Sequence, residues 1–397
     1  MDKEKNKKRT ASEKNKKNKK GRKKVRILIS LLVALIVIAG TFFYAVPAVL
    51  GVNWNNMFEY YGAYISKPES DDENCLFSVI GGDIKNIEPL SGAAIVSTPN
   101  STVVIGKNGG IISADNNGYS AAVIKSTDKK YIAFERSTGK FSVLDKKSRG
   151  YSSQLDGEII NAAVSEGGNY AIISKKTLST SLLTVYSDKN DILFQWECNN
   201  GYLTDCAISP NGKNIAVTSF DVENGDKVTR ILTFTTKSLD VEKEIDTENG
   251  IVCSMKFLNN DSLGYVTDEN YFIADVNSGE KRSVSYEYDT LSGWFFAENN
   301  TVTIAKTSFG SLDESVICVL DRNADELMNC KFEGHITDFC TDKSFVYILS
   351  SDKITVLAIS SGETVSEIET AGGLRNICVI SGKIFCSSEN EVYSYNR

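Results

Sequence analysis

A block of roughly forty residues recurs along most of this chain, and the recurrence restricts the fold more than any single motif. The clearest copy is TDCAISPNGKNIAVTS, residues 204–219, in which two apolar runs flank the turn Ser209-Pro210-Asn211-Gly212. NAAVSEGGNYAIIS, residues 161–174, has the same plan, and looser copies lie at 254–268, 294–307, 337–350 and 375–388. A third run follows each pair, starting for example at Leu183, Tyr271, Val316 and Ile354, and then a fourth, more polar one such as 191–198 or 363–370. The runs are short, rich in β-branched and aromatic residues, and separated by Gly, Asn, Asp and Ser. That pattern argues for strands, and residues 75–397 show no amphipathic helical period. Four antiparallel strands in every such unit predict the blade of a β-propeller.

Unit starts at Ile84, Ala121, Ile159, Gly201, Gly250, Leu291, His335 and Gly373 give eight units spaced 37 to 49 residues apart. The last unit, residues 373–397, has room for only three strands. The missing one is available at the other end of the domain, in CLFSVI, residues 75–80. Pairing first with last would close the ring and remove two exposed edges. The expectation is therefore an all-β, eight-bladed propeller over residues 75–397. Seven blades is the alternative, because the first unit is the weakest.

The other constraint is charge. Residues 1–26 hold 14 Lys and Arg against three acidic residues, a net of +11, whereas the whole chain is −7. Such a segment has nothing to bury, and it reads as a disordered basic tail. Residues 27–46, ILISLLVALIVIAGTFFYAV, carry no charge over 20 positions. As a helix they would span about 30 Å, the thickness of bilayer hydrocarbon. The 13 Ile, Leu, Val and Phe residues among them favour insertion by ~4–8 kcal/mol. Pro47 would end the regular helix or kink it.

The run is too long for a signal-peptide core and no clean Ala-x-Ala follows it, so it reads as an uncleaved anchor. The basic block keeps its own end cytoplasmic and places the acidic bulk outside the cytoplasm. Aromatics from Phe42 to Tyr64 suit the outer interface, and residues 47–74 form a juxtamembrane segment ending in a polar linker. The implied partners are the bilayer through residues 27–46 and anionic lipid headgroups through the tail. Topology accounts for the basic block without nucleic acid.

The Ser-Pro-Asn-Gly turn within residues 204–219 resembles that of WD-repeat-like and quinoprotein-like propellers. The whole layout is similar to that of an uncharacterised bacterial family with a basic cytoplasmic tail, one membrane span and an extracytoplasmic propeller. The resemblance implies a fold and a topology, and brings no catalytic residues with it.

Motifs for chemistry are sparse. There are three Trp and no Cys-Cys pair for a quinone cofactor cage, no G-x-S-x-G elbow, no Walker A and no G-x-G-x-x-G. No cofactor is expected. The nine cysteines show no C-x-x-C spacing and read mostly as buried free thiols, with a Cys198–Cys206 bridge as the alternative. The single His, His335, with Asp205 and Asp338, falls at the start of expected innermost strands, as candidate channel-lining groups. Three long turns between second and third strands, residues 175–181, 220–227 and 308–314, would crowd one rim. They carry Asp221, Glu223, Asp226, Asp313 and Glu314, an acidic candidate partner-binding rim. The expected function is a membrane-anchored, non-catalytic binding or scaffold module for an extracytoplasmic protein or polymer. The alternative is a lactonase-like enzyme with a metal in the channel.

Overall fold

The computed structural model describes residues 31, 33–37, 40, 65–66, 72–79, 83–136, 138–176, 181–199, 201–238, 240–248, 250–286, 289–308 and 314–397. The chain divides into two compact units, Met1–Met57 and Phe58–Arg397. In the first, residues 31, 33–37 and 40 are helical. The expected span at 27–46 otherwise lies outside the described residues, among which no helix is long and apolar enough to cross a membrane.

The second unit is an eight-bladed β-propeller. Two short strands come first, β1 (Ile65–Ser66) and β2 (Cys75–Val79). Seven four-stranded sheets follow in chain order. The first is β3 (Asn86–Leu90), β4 (Ala93–Thr98), β5 (Ser101–Gly106) and β6 (Ile111–Asp115); the second is β7 (Val123–Ser126), β8 (Lys130–Phe134), β9 (Lys140–Asp145) and β10 (Gly150–Gln154). The third is β11 (Ile159–Val164), β12 (Tyr170–Lys175), β13 (Ser181–Tyr186) and β14 (Ile192–Cys198). The fourth is β15 (Tyr202–Ile208), β16 (Asn214–Glu223), β17 (Asp226–Thr235) and β18 (Lys243–Asp246). The fifth is β19 (Val252–Phe257), β20 (Ser262–Thr267), β21 (Asn270–Asp275) and β22 (Lys281–Ser285). The sixth is β23 (Thr290–Phe296), β24 (Val302–Thr307), β25 (Glu314–Leu320) and β26 (Glu326–Glu333); the seventh is β27 (Asp338–Thr341), β28 (Phe345–Leu349), β29 (Lys353–Ala358) and β30 (Thr364–Glu369). The eighth joins β31 (Asn376–Ile380), β32 (Lys383–Ser387) and β33 (Glu391–Asn396) to β2, which supplies its outer strand.

The closure is therefore the expected one, through the pairs Cys75↔Tyr393, Phe77↔Val392 and Ser78↔Glu391. β1 adds a fifth strand by Ile65↔Val79, so two residues expected in the linker join the sheet instead. The weak first unit forms a complete sheet; its Pro89 is tolerated because an innermost strand is an edge strand.

The core is not one cluster but eight, one in each gap between neighbouring sheets. Leu183, Phe194 and Cys206 with Phe234 fill the gap between sheets three and four, for example, and Phe77 and Phe385 with Val96 and Ile105 that between eight and one. Each sheet is thus buried on both faces, which is why second strands such as β4 and β12 read as continuous apolar runs rather than alternating ones. Fourth strands reach the rim and turn polar, as in β30.

Turns between strands are held by residues with positive φ. At Gly139 (φ 70) a β-carbon would stand 2.4 Å from the Gly157 carbonyl oxygen and 2.7 Å from that of Leu155. Gly139→Ala is expected to destabilise the domain by about 2 kcal/mol or more, from backbone strain plus the clash. A urea unfolding midpoint equal to wild type would refute this.

Candidate functional site

Antiparallel order fixes where the functional segments emerge. If first strands run away from one end of the ring, second–third turns and sheet-to-sheet connections all return to that same end. This end carries the candidate rim.

In sheet four the expected loop at 220–227 is not a loop. β16 and β17 continue past their neighbours and meet at Asn224-Gly225, both with positive φ (54 and 93), the geometry of a two-residue hairpin turn. β15 pairs with β16 only as far as Tyr202↔Phe220, and β18 joins β17 from Arg230↔Asp246 inward. The tip, including Asp221, Glu223 and Asp226, therefore extends past the flanking strands of its own sheet. Glu223 holds Arg230 at 2.7 Å, and Arg230 also reaches Glu244 at 2.8 Å. Asp221 accepts the Val222 N–H at 2.7 Å. Glu314 opens β25, exposed and in register with Glu333. Asp313 lies outside the described residues, as do 309–312 and 177–180 of the other two turns.

The channel candidates behave differently from one another. Polar residues at equivalent points of four inner strands bend back on the backbone. Asn86, Asn161, Asp205 and Asp338 each accept the N–H of the next residue, at 2.8, 2.9, 2.9 and 2.9 Å. The remaining atoms of Asn161, Asp205 and Asp338 tie sheet to sheet, whereas the Asn86 amide donates to Glu88 on its own strand at 2.7 Å. Asn161 donates Nδ2 to Asp205 at 2.7 Å, and Asp338 accepts the Ile377 N–H at 2.9 Å. Asp205 and Asp338 are thus clamps in sheets four and seven, and they do not meet. Burial pushes the Asp338 carboxyl up to about 7 against the two N–H bonds that favour its charge. Asp205 is raised by burial as well, with Lys125 opposing.

His335 does not reach the channel. β27 starts only at Asp338, and Gly334 (φ 126) turns His335 out, exposed, into a cleft of about 350 Å³ between sheets six and seven. Glu333, Asp352 and Lys353 line it beside the Thr355 hydroxyl, which is buried without a hydrogen-bond partner among the described residues. The cleft can hydrogen-bond a polar ligand. Among the described residues no three His, Cys, Asp or Glu side chains are grouped to hold a metal.

The sequence reading missed three charged groups. Glu88 on β3 is acted on by the charges of Lys125 on β7 and Lys256 on β19, from two other sheets. Glu88 is raised by burial, with Lys125 opposing, and Lys256 is lowered by burial. Lys256 donates to the carbonyls of Phe296 and Ala297 at 3.4 and 3.5 Å, bridging sheets five and six. A single charge inside an otherwise apolar inner run, as in NIEPL or VCSMKF, was the available signal.

All nine cysteines are free thiols. Seven are buried, but Cys253, expected inside, is exposed. On the neighbouring inner strand β23, Trp294 is likewise 38% exposed.

Solved structures of the same fold are distant in sequence. BamB from Moraxella catarrhalis aligns at TM-score 0.51 and 15% identity, covering 79% of this chain and 94% of that one. Sqt1 from Saccharomyces cerevisiae aligns at 0.55 and 11%, covering 80% and 96%. The C-terminal WD40 domain of Sif2 aligns at 0.59 and 8%, covering 80% and 97%. These likenesses establish the fold alone. No curated protein matches the chain. Residues 81–396 match the model of a family of unknown function, DUF5711, and the chain belongs to that family.

Proposed function

We propose that this protein is a membrane-anchored, extracytoplasmic binding or scaffold module for envelope proteins. The observation that carries the binding role is the projecting β16–β17 hairpin. Its tip extends beyond the flanking strands of its own sheet and leaves Val222 59% exposed, although ordering it costs conformational entropy. A rigid ring displaying such an element is suited to hold a partner. The carboxylates at the inner strands serve as backbone clamps, which leaves the enzyme alternative without a free acid pair at Asp205 and Asp338. Anchorage and orientation rest on the uncharged run 27–46 behind the basic block.

Two measurements test the reading. Protease added to spheroplasts is expected to digest the propeller while sparing cytoplasmic markers; a propeller protected as they are would refute the orientation. Cross-linking in native membranes followed by purification of the full chain is expected to recover an envelope protein in fixed proportion. Recovery of none would count against the binding role.

A further inference from the structure

At the connection end, two features coincide over sheets four to six. One is apolar. Tyr202 stands opposite Phe220 across β15 and β16, and Val222 follows two residues on, so the three side chains share one face of the hairpin. That face is turned towards sheet five, because Lys227, opposite Val222, reaches Asp268 at 3.6 Å. Ile251 is bonded to the same Asp268: its N–H donates to the Asp268 carboxylate at 2.7 Å, and its carbonyl accepts the Asp268 N–H at 3.1 Å. Tyr202, Val222 and Ile251 are 51%, 59% and 41% exposed. Nearby, the buried Tyr286 hydroxyl has no hydrogen-bond partner among the described residues.

The other feature is charge. The cations of this sector are already engaged: Lys227 with Asp268, Arg230 with Glu223 and Glu244, Lys281 with Glu248, and Lys306 with Asp289. Asp221, Asp226, Glu269 and Glu314 have no cation within 4.0 Å among the described residues, leaving excess negative charge around the apolar strip. Elsewhere at this end Asp156, Glu333 and Asp352 also have no cation within 4.0 Å among the described residues, but other segments there are neutral or matched. The second–third turn of sheet one is Pro99-Asn100, that of sheet three begins with Lys175 and Lys176, and Glu389 of sheet eight is matched by Arg375.

We propose that this face docks a basic polypeptide segment of the partner, with apolar side chains covering Tyr202, Val222 and Ile251 and Lys or Arg side chains meeting Asp221, Asp226 and Glu269. The occupant follows from complementarity. An apolar strip needs apolar cover, and its unmatched acidic surround favours cations while repelling acidic competitors. The inference rests on the binding-module reading and names the partner's chemistry.

The test uses the full chain in detergent and labelled peptides of about twelve residues, a length that spans such a strip. One alternates lysine with valine, one glutamate with valine, and one lysine with serine. Only the first is expected to bind well, with an affinity that falls as salt rises from about 0.05 to about 0.3 M. Val222→Ser, and separately the pair Asp221→Asn and Asp226→Asn, should each weaken it by about tenfold or more. Equal binding of either control peptide, or unchanged affinity in both variants, would overturn the proposal. An envelope partner that still co-purifies undiminished with both variants would also overturn it while leaving the binding-module reading standing.

Discussion

A chain lacking residues 1–80 will not hold the ring shut, whereas one lacking only residues 1–64 will. The first truncation removes β2 and leaves β33 as an open edge, with Val392, Tyr393 and Tyr395 losing the cover of Cys75, Phe77 and Val79. The second keeps both β1 and β2. The point variant Phe77→Ala isolates the apolar part of this closure. Phe77 is 4% exposed and packs with Ile87, Val96 and Phe385, so truncation is expected to destabilise by about 3–5 kcal/mol. Thermal melts by circular dichroism with size-exclusion chromatography read all three. The 1–80 truncation should aggregate or lose its cooperative transition. A melt matching that of the 1–64 truncation would show that the ring does not depend on its closing strand.

The second large effect is on pH. The Asp338 carboxyl titrates near 7 in the folded chain and near 3.8 when free of its surroundings. Between those values the unfolded chain has released this proton and the folded chain still holds it. Stability from this group therefore falls as pH rises from about 4 to about 7, by up to ~1.4 kcal/mol per pH unit, and levels off above. Glu88 and Asp205, also raised by burial, act in the same direction. Glu135 and Asp145 are lowered by their hydrogen bonds against the opposing effect of burial, and their contributions are lost on acidification below the ordinary carboxylate range. The domain should thus be most stable near pH 5 and weaker at pH 8. Asp338→Asn, which mimics the protonated form, should flatten the decline. Urea midpoints from pH 5 to pH 8 decide: a rise across that range, or an unaltered slope in the variant, would contradict the account.

Much of the fold was legible because each blade repeats one local pattern. Runs at 204–219 and 161–174 carry their turn residues at fixed offsets, and turns such as Ser209–Gly212 close on themselves, the Gly212 N–H reaching the Ser209 carbonyl at 2.8 Å. Even the closing strand could be inferred, because a three-stranded last unit demands a fourth. The site was less legible. Residues 220–227 look like a polar loop, yet Asn224-Gly225 at its tip permits a tight turn and lets the strands run on. His335 looks like the start of an inner strand, yet the glycine before it turns it outward. Asp205 and Asp338 look available, and their hydrogen bonds to neighbouring sheets engage them.

The amino-acid sequence alone determined the propeller fold, the order of its sheets and the strand that closes them, and favoured eight sheets over seven, because those depend on contacts local to each repeat and on the count of repeats. Only the tertiary structure decided which polar groups remain available to a partner. That depends on pairs such as Asn161 with Asp205, or Asp338 with Ile377, some forty residues apart in the chain and brought together only when neighbouring sheets pack.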